Sequence, residues 1–269
     1  MTTINEQELK KIQLSILEYV ASFCEDHQIE YWLSCGTLLG AVRHGGYIPW
    51  DDDIDIGMTR ANYQRFLGLF NQESKRYKLL DYRISKNYFL PYGKIGDTNT
   101  ILYEPDEKGL KINVNINVFI YDFAPSCEKV INRIYKKCNW LRDLNLVKNY
   151  SFTSKTKLYK RISIYVLKLF LLFFPKKYFA KRMNKIASAC SSKEAEYFCN
   201  FLSYSRIRCP ISVVEPLSRI EFEKRMFSAP NNPDEWLKAF YGDCMKLPPV
   251  EKRVSHHAFV AFYKDDYGK

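Results

Sequence analysis

The chain has 269 residues, 46% of them hydrophobic, and a formal charge of +11. That is enough apolar content for a substantial core, in one large domain or in one domain with a big insertion. No run of about 20 apolar residues occurs, and the polar start from Met1 to Asn5 lacks the basic-then-apolar order of a secretory signal, so neither a membrane span nor a signal peptide is expected.

Residues 5–27 place Leu9, Ile12, Ile16, Leu17, Val20 and Phe23 at helical spacing, with His27 at the C-terminal end. Ile29 to Leu33 reads as a short strand. The glycine-punctuated stretch from Gly36 to Gly46 predicts a short helix over Thr37–Val42 and then a loop. The next strand is predicted over Asp51–Gly57. Thr59 is placed to cap a helix from Arg60 to about Asn71 that buries Tyr63, Phe66, Leu67 and Phe70. Tyr77–Tyr82 and Phe89–Ile95 predict strands, with Lys94 near the end of the latter. Ile112–Ile120 alternates strictly, Ile112, Val114, Ile116, Val118 and Ile120 against Asn113, Asn115, Asn117 and Phe119.

A basic segment follows. Between Lys129 and Lys185 there are sixteen Lys/Arg and one acid, Asp143, a net +15 that leaves −4 for the rest of the chain. Such a module attracts polyanions. Within it, Ile162–Phe174 is apolar apart from Ser163 and Lys168 and is flanked by Lys155, Lys157, Lys160 and Arg161 on one side and Lys176, Lys177, Lys181 and Arg182 on the other. As a helix it spans about 20 Å, too short for a hydrocarbon core of about 30 Å. Two readings fit, a buried core helix or a helix lying in an anionic membrane interface, and the charge imbalance favours the second. No nucleic-acid-binding signature is present, and no nucleic-acid partner is expected. The eight cysteines form no C-x-x-C pair, which points to reduced thiols in a cytosol.

The feature richest in chemistry is Trp50-Asp51-Asp52-Asp53-Ile54-Asp55-Ile56-Gly57. On a strand, Asp51, Asp53 and Asp55 would share one face about 7 Å apart, while Asp52 would point away. Ionised carboxylates so close repel unless a cation lies between them, and hard oxygen ligands select Mg²⁺ or Mn²⁺. Ahead of them, Gly36 would let backbone approach a ligand, Thr37 could donate to a phosphate oxygen, and helix-start amides add partial positive charge. Arg43 and Lys94 are candidate clamps on a diphosphate.

The stretch Leu33-Ser34-Cys35-Gly36-Thr37-Leu38-Leu39-Gly40-Ala41-Val42-Arg43-His44-Gly45-Gly46-Tyr47-Ile48-Pro49-Trp50-Asp51-Asp52-Asp53-Ile54-Asp55-Ile56-Gly57-Met58 resembles the signature of the LicD family, which includes bacterial phosphocholine transferases and the fukutin-related enzymes. Tyr92-Gly93-Lys94-Ile95 with Asn99-Thr100 is similar to a second family block. Tyr241-Gly242-Asp243-Cys244-Met245-Lys246-Leu247-Pro248-Pro249, then Arg253 and His256-His257, is similar to a third. The resemblance brackets residues 5–122 and 221–257.

It implies an α+β, nucleotidyltransferase-like fold of the polymerase-β type: a small mixed sheet with helices on one side, plus a basic helical insertion. Residues 1–125 would form the catalytic core, 126–190 a membrane-facing insertion, and 191–269 the part completing the catalytic domain. The implied reaction moves a phospho-alcohol (phosphocholine, or ribitol or glycerol phosphate) from a CDP-linked donor to a hydroxyl of a glycan or lipid-linked glycan, releasing CMP. The acceptor would be lipopolysaccharide, teichoic acid or capsule, and the enzyme would work peripherally at the cytoplasmic face of a bacterial plasma membrane. Asp53 and Asp55 would coordinate Mg²⁺ (or Mn²⁺), with Asp51 or Asp52 in support. One departure stands out: where the family has Ile-Asp-Ile-Phe, this chain reads Ile116-Asn117-Val118-Phe119. Asn117 cannot take a proton. It could still orient the acceptor while Asp51 or Asp52 acts as base, Asp122 could substitute, or the protein could be slow or inactive. His256, in the third block, could position a diphosphate or act as an acid. Two further readings are a nucleotidyltransferase using an NTP, and a catalytically silent membrane-binding module.

Overall fold

The computed structural model describes residues 1–103, 112–149, 158–189, 195–253 and 260–264. In chain order the elements are β1 (Thr3–Ile4), α1 (Glu6–Asp26), β2 (Trp32–Leu33), α2 (Cys35–His44), β3 (Asp55–Thr59), α3 (Arg60–Glu73), β4 (Tyr77–Leu80), β5 (Gly93–Asp97), β6 (Thr100–Tyr103) and β7 (Asn115–Ala124). Three helices follow, α4 (Glu128–Asn149), α5 (Leu158–Leu171) and α6 (Tyr178–Ser188). The chain closes with β8 (Tyr197–Cys199), β9 (Arg208–Pro210), α7 (Ile211–Val214), β10 (Ser218–Phe222), β11 (Arg225–Ala229), α8 (Pro233–Tyr241), a 3-10 turn (Val250–Lys252) and β12 (Val260–Tyr263).

The main sheet is mixed, in the order β2-β3-β7-β5-β4, with β8 pairing to the end of β7 and β9 to β8. Among the pairings described, β3 and β7 run parallel and the others antiparallel. A parallel pair needs a long crossover, here the chain from α3 through β6. Helix α1 opens on a capping box in which the Asn5 side chain and the Glu8 backbone, and the Glu8 side chain and the Asn5 backbone, satisfy each other. It lays Leu9, Ile12, Ile16, Leu17, Val20 and Phe23 against β5 and β7. Helix α3 starts at the predicted cap, with Thr59 Oγ1 accepting from the Asn62 amide at 3.3 Å, and it buries Tyr63, Phe66 and Phe70 while leaving Leu67 half-buried.

Several strands begin later than the sequence pattern suggests. The acidic run is not a strand until Asp55: Asp51 N bonds back to the Ile48 carbonyl at 2.9 Å, closing a turn at Pro49-Trp50, and residues 51–54 then run as an irregular stretch into the strand. Phe89–Tyr92 is also not a strand. Pro91 has no N–H to give a ladder, and side chains satisfy the carbonyls there: Asn145 Nδ2 donates to Phe89 O (3.0 Å), Asn184 Nδ2 to Pro91 O (2.9 Å) and Tyr88 Oη to Tyr92 O (2.9 Å). Strand β7 pairs from Asn115 onward, while Ile112 bridges Leu102 instead. Ile116, Val118 and Ile120 are fully buried, and Asn115 and Asn117 on the other face are buried too, so the strand is covered on both sides.

Two smaller assemblies complete the molecule. The sheet β1-β12-β6 brings the two ends of the chain together. The β10–β11 hairpin turns through Glu223 and Lys224, both in the left-handed region (φ 51° and 62°). Its Glu223 amide donates to Gly45 O (2.9 Å), and its carboxylate accepts from Tyr47 N (3.1 Å). A Cβ on Gly46 would lie 2.2 Å from that carboxylate, which explains the glycine. The hairpin thus clamps the loop leading into the acidic run. In the basic segment, α4 packs on α6 through residues such as Ile131, Tyr135 and Cys138 against Phe179, Met183 and Ala187.

Candidate active site

The site forms where the first turn of α2 is stitched to the start of β3. The Asp55 amide donates to Thr37 Oγ1 (2.8 Å), and Ser34 N donates to Asp55 O (2.9 Å). Thr37, expected to face a phosphate, therefore spends an oxygen lone pair on holding Asp55 and keeps its own O–H to give. Ser34 stands at the N-cap of α2 but does not cap it, because its hydroxyl pairs with Tyr121 Oη at 2.7 Å. Ser34 therefore gives no side-chain cap to the first-turn amides, which carry the positive end of the helix dipole. Cys35 opens that turn at φ 47°, a strained backbone value for a residue with a side chain.

Asp55 and Asn117 sit side by side in the parallel β3–β7 register. The Asn117 amide Nδ2 donates to both Asp55 Oδ1 (2.8 Å) and Asp53 Oδ2 (3.3 Å), gathering two carboxylates onto one nitrogen. Asn117 Oδ1 is buried without a hydrogen-bond partner. Lys94, also buried, lies opposite Asn117 across the antiparallel β7–β5 pair. The carboxyl of Asp55 titrates well above the ordinary range. Burial is the main cause and the Asp53 charge the next, with Asp51 adding to them, while the Asn117 amide and Lys94 pull the other way.

The strand alternation expected to align Asp51, Asp53 and Asp55 is absent, because the strand begins only at Asp55 and residues 51–54 are irregular. Among the described residues no three His, Cys, Asp or Glu side chains converge on a ready-made ion position. Asp51 lays its carboxylate over Gly36, with Oδ2 only 2.5 Å from where a Cβ would stand. Asp52 is buried, and its carbonyl accepts from Gln13 Nε2 (2.8 Å), which also reaches Asn115 O (3.3 Å). Magnesium is commonly held by one or two carboxylates together with substrate phosphates. Asp53 and Asp55, with the unpartnered Asn117 carbonyl oxygen between their strands, fit that pattern as a hard-oxygen donor set.

Arg43 does not join the carboxylates. It lies six residues beyond Thr37, about 9 Å along the helix, and Nη1 donates to Cys244 O (3.2 Å). There it lines a cavity of about 370 Å³ with Trp50, Tyr241, Lys246 and Pro248, and the Arg253 guanidinium lies 5.6 Å from the centroid of the Trp50 ring. Asp122 is on the opposite face of β7 from Asn117. Arg60 engages both of its oxygens, and Arg60 Nη1 continues to Asn184 Oδ1 (3.1 Å). Asp122 is thus a buried ion-pair partner and not a substitute for a carboxylate at 117. His256 falls outside the described residues.

Three contributors escaped the sequence reading. Gln13 braces Asp52, and Tyr47 Oη donates to Gln13 Oε1 (3.2 Å); a polar residue on the apolar face of α1 was the available signal. Tyr241 is the third. Burial, then the neighbouring Cys35 thiol and the Asp55, Asp51 and Asp53 carboxylates, push its phenol upward, which places it within the field of the acidic cluster. Its position at the head of the third sequence block marked it.

Comparison with known proteins fits this geometry. The model of the LicD/FKTN/FKRP nucleotidyltransferase domain matches residues 28–94. Over 268 residues the chain is 34% identical to the lipopolysaccharide cholinephosphotransferase LicD of Haemophilus influenzae, covering 97% of this chain and 98% of that protein. A stretch of 40 residues is 52% identical to the human ribitol 5-phosphate transferase FKRP, covering 15% of this chain and 8% of that one. A stretch of 72 residues is 32% identical to the mouse ribitol-5-phosphate transferase FKTN, covering 27% and 16%.

Proposed function

The chain belongs to the LicD/FKTN/FKRP family, and on that premise we propose that it transfers a phospho-alcohol, phosphocholine first among them, from a CDP-linked donor to a hydroxyl of a cell-surface glycan or glycolipid, with a nucleotidyltransferase-like catalytic core and Mg²⁺ or Mn²⁺ as cofactor. Similarity along nearly its whole length to a lipopolysaccharide cholinephosphotransferase supports the cargo and the acceptor class. The observation that carries the reading is the pair Asp53 and Asp55 held on one amide beside the start of α2.

Asp53 and Asp55 would hold the cation. When bound, it would neutralise the diphosphate and offset the charge that builds on the departing nucleotide. The first-turn amides of α2 and Lys94 would bind phosphate oxygens, and the cavity of Arg43, Trp50 and Arg253 would receive the remainder of the donor. The acceptor oxygen bonds to the β-phosphorus as that phosphorus separates from the bridging oxygen, whose electron pair leaves with CMP. The acceptor proton goes to Asp51, which is half-buried at the rim, while Asn117 keeps Asp53 and Asp55 in place and takes no proton itself.

The test is release of CMP from CDP-choline, CDP-glycerol or CDP-ribitol with lipopolysaccharide and Mg²⁺. Wild type should turn over one donor, and Asp53→Ala and Asp55→Ala should abolish turnover. Pyrophosphate released from an NTP, with no CMP from any of the three donors, would point to nucleotidyl transfer instead.

A further inference from the structure

Helix α5 is apolar on two faces. Its inner face carries Leu171, which is 1% exposed, with Ile164 and Leu167 partly buried beside it. These side chains lie on the side packed towards α4, where Lys148 Nζ also donates to the Leu171 carbonyl at 2.7 Å. Its outer face carries Ile162, Tyr165, Val166, Leu169 and Phe170, at 56%, 64%, 61%, 47% and 61% exposure. Their spacing (i, i+3, i+4, i+7, i+8) makes one continuous stripe. Leu172 and Phe173 prolong it past the helix end at 69% and 86%. A buried core helix, one of the two readings open from the sequence, would not leave these side chains in water. A patch of this kind on a protein surface marks an interaction site.

What covers the stripe is indicated by its surroundings. Helix α6 follows directly and buries Phe179, Met183 and Ala187 while turning Lys181, Arg182 and Lys185 outward, with Lys176 exposed in the connection. On α4, Arg133, Lys136 and Lys137 share the outward face with Trp140, which is 64% exposed. The one acid between Lys129 and Lys185 is Asp143, and it accepts from Tyr204 Oη at 2.8 Å. Among the described residues no helix is long and apolar enough to cross a membrane.

An exposed apolar stripe within a strongly basic segment, with too little length to span, is the pattern of a helix lying in an interface. We propose that the outer face of α5, set in a segment with sixteen Lys/Arg and one acid, docks the protein onto an anionic lipid bilayer, with Val166, Phe170 and Phe173 entering the headgroup–acyl boundary. The proposal does not depend on the catalytic reading, and its test does not use activity.

The full chain is sedimented with phosphatidylcholine vesicles, with and without phosphatidylglycerol. Binding should require the anionic lipid and weaken as salt is raised. One basic side chain near such a surface is worth about a fivefold change in partitioning, so Lys181→Glu/Arg182→Glu should lower binding by roughly 25-fold or more. Val166→Asp/Phe170→Asp should remove it while leaving the thermal midpoint unchanged, because both side chains are already exposed. Three results would overturn the proposal: no sedimentation of wild type with anionic vesicles, equal binding to both vesicle types, or a self-associated species in solution that Val166→Asp/Phe170→Asp dissociates, which would make the stripe an interface between copies.

Discussion

Replacing Asn117 by Asp isolates the logic of the acidic site. The wild-type amide gives N–H to two carboxylates, at 2.8 Å and 3.3 Å. Hydrogen bonds to charged groups are worth about 1.5–3 kcal/mol each. A carboxylate in the same place reverses both contacts, and two like charges about 4 Å apart repel by about 4 kcal/mol at an effective dielectric near 20. Proton uptake by one of the three acids, and Lys94 in the facing register, limit the damage. A net loss of about 3–5 kcal/mol without metal is expected near neutral pH, shrinking as acidification lets two carboxyls share a proton. For a chain of this size that is roughly 6–20 °C in Tm. Magnesium should repair it. A ligand that binds the folded state at 100 times its Kd adds about 2.7 kcal/mol, and a third anionic oxygen raises affinity, so the Mg²⁺-induced rise in Tm should be larger in Asn117→Asp than in wild type. Differential scanning fluorimetry with EDTA and with a Mg²⁺ series reads both quantities. An unchanged Tm in EDTA, or equal Mg²⁺ shifts in the two proteins, would show that Asn117 does not sit between cation-binding carboxylates.

Three further outcomes are expected. The folded-state pKa of Asp55 is raised by burial and by Asp53, so the folded state binds more protons than the unfolded one above the unfolded value of about 3.9. Stability from this group is therefore greatest below that value and declines as pH rises through the folded pKa. Subtracting the metal-free denaturation profile of Asp55→Asn from that of wild type should give this slope, and a flat difference would contradict it. Arg60→Ala leaves Asp122, 1% exposed, with an uncompensated buried charge, which costs about 3–5 kcal/mol; urea unfolding measures this, and Asp122→Asn should leave donor turnover per folded molecule intact. Lys224→Gly relieves a left-handed residue in the two-residue hairpin turn and should stabilise by about 0.5–1 kcal/mol, a gain that would be absent if the hairpin opened in solution.

The elements read best from the sequence were those whose pattern and caps agree. Helix α1 has an apolar stripe and a capping box, α3 has Thr59, and β7 has its isoleucine and valine alternation. The misplaced strand starts share a cause. At Phe89–Tyr92 and at Asp51–Ile54 the residue types suit a strand, but a nearby proline and backbone bonds to distant side chains, Asn145, Asn184 and Gln13, decide the conformation. Those partners lie 39 to 93 positions away, beyond any window of local pattern. The outer face of α5 was ambiguous for a different reason. Apolar residues all round a helix look alike in sequence whether or not a core covers them, and only the exposure of one stripe shows that the core leaves it uncovered.

The site shows the same division. The chemistry of the acidic run was legible because hard oxygen donors in a row admit few explanations, but its geometry was not, because an irregular stretch and a strand place the same aspartates differently. The strand reading required Asp51, Asp53 and Asp55 to converge by alternation. The protein reaches two converging carboxylates by another route: Thr37 holds the Asp55 backbone and Asn117, on a strand joined through the crossover, draws Asp53 in. Asn117 is therefore not simply a missing carboxylate. A neutral donor there lowers the charge of a site already strained by Asp53, Asp55 and Asp51, so the arrangement tolerates being without a cation better than a three-acid site would. The corresponding cost falls on cation affinity, which is why Asn117→Asp should gain more from magnesium than wild type does.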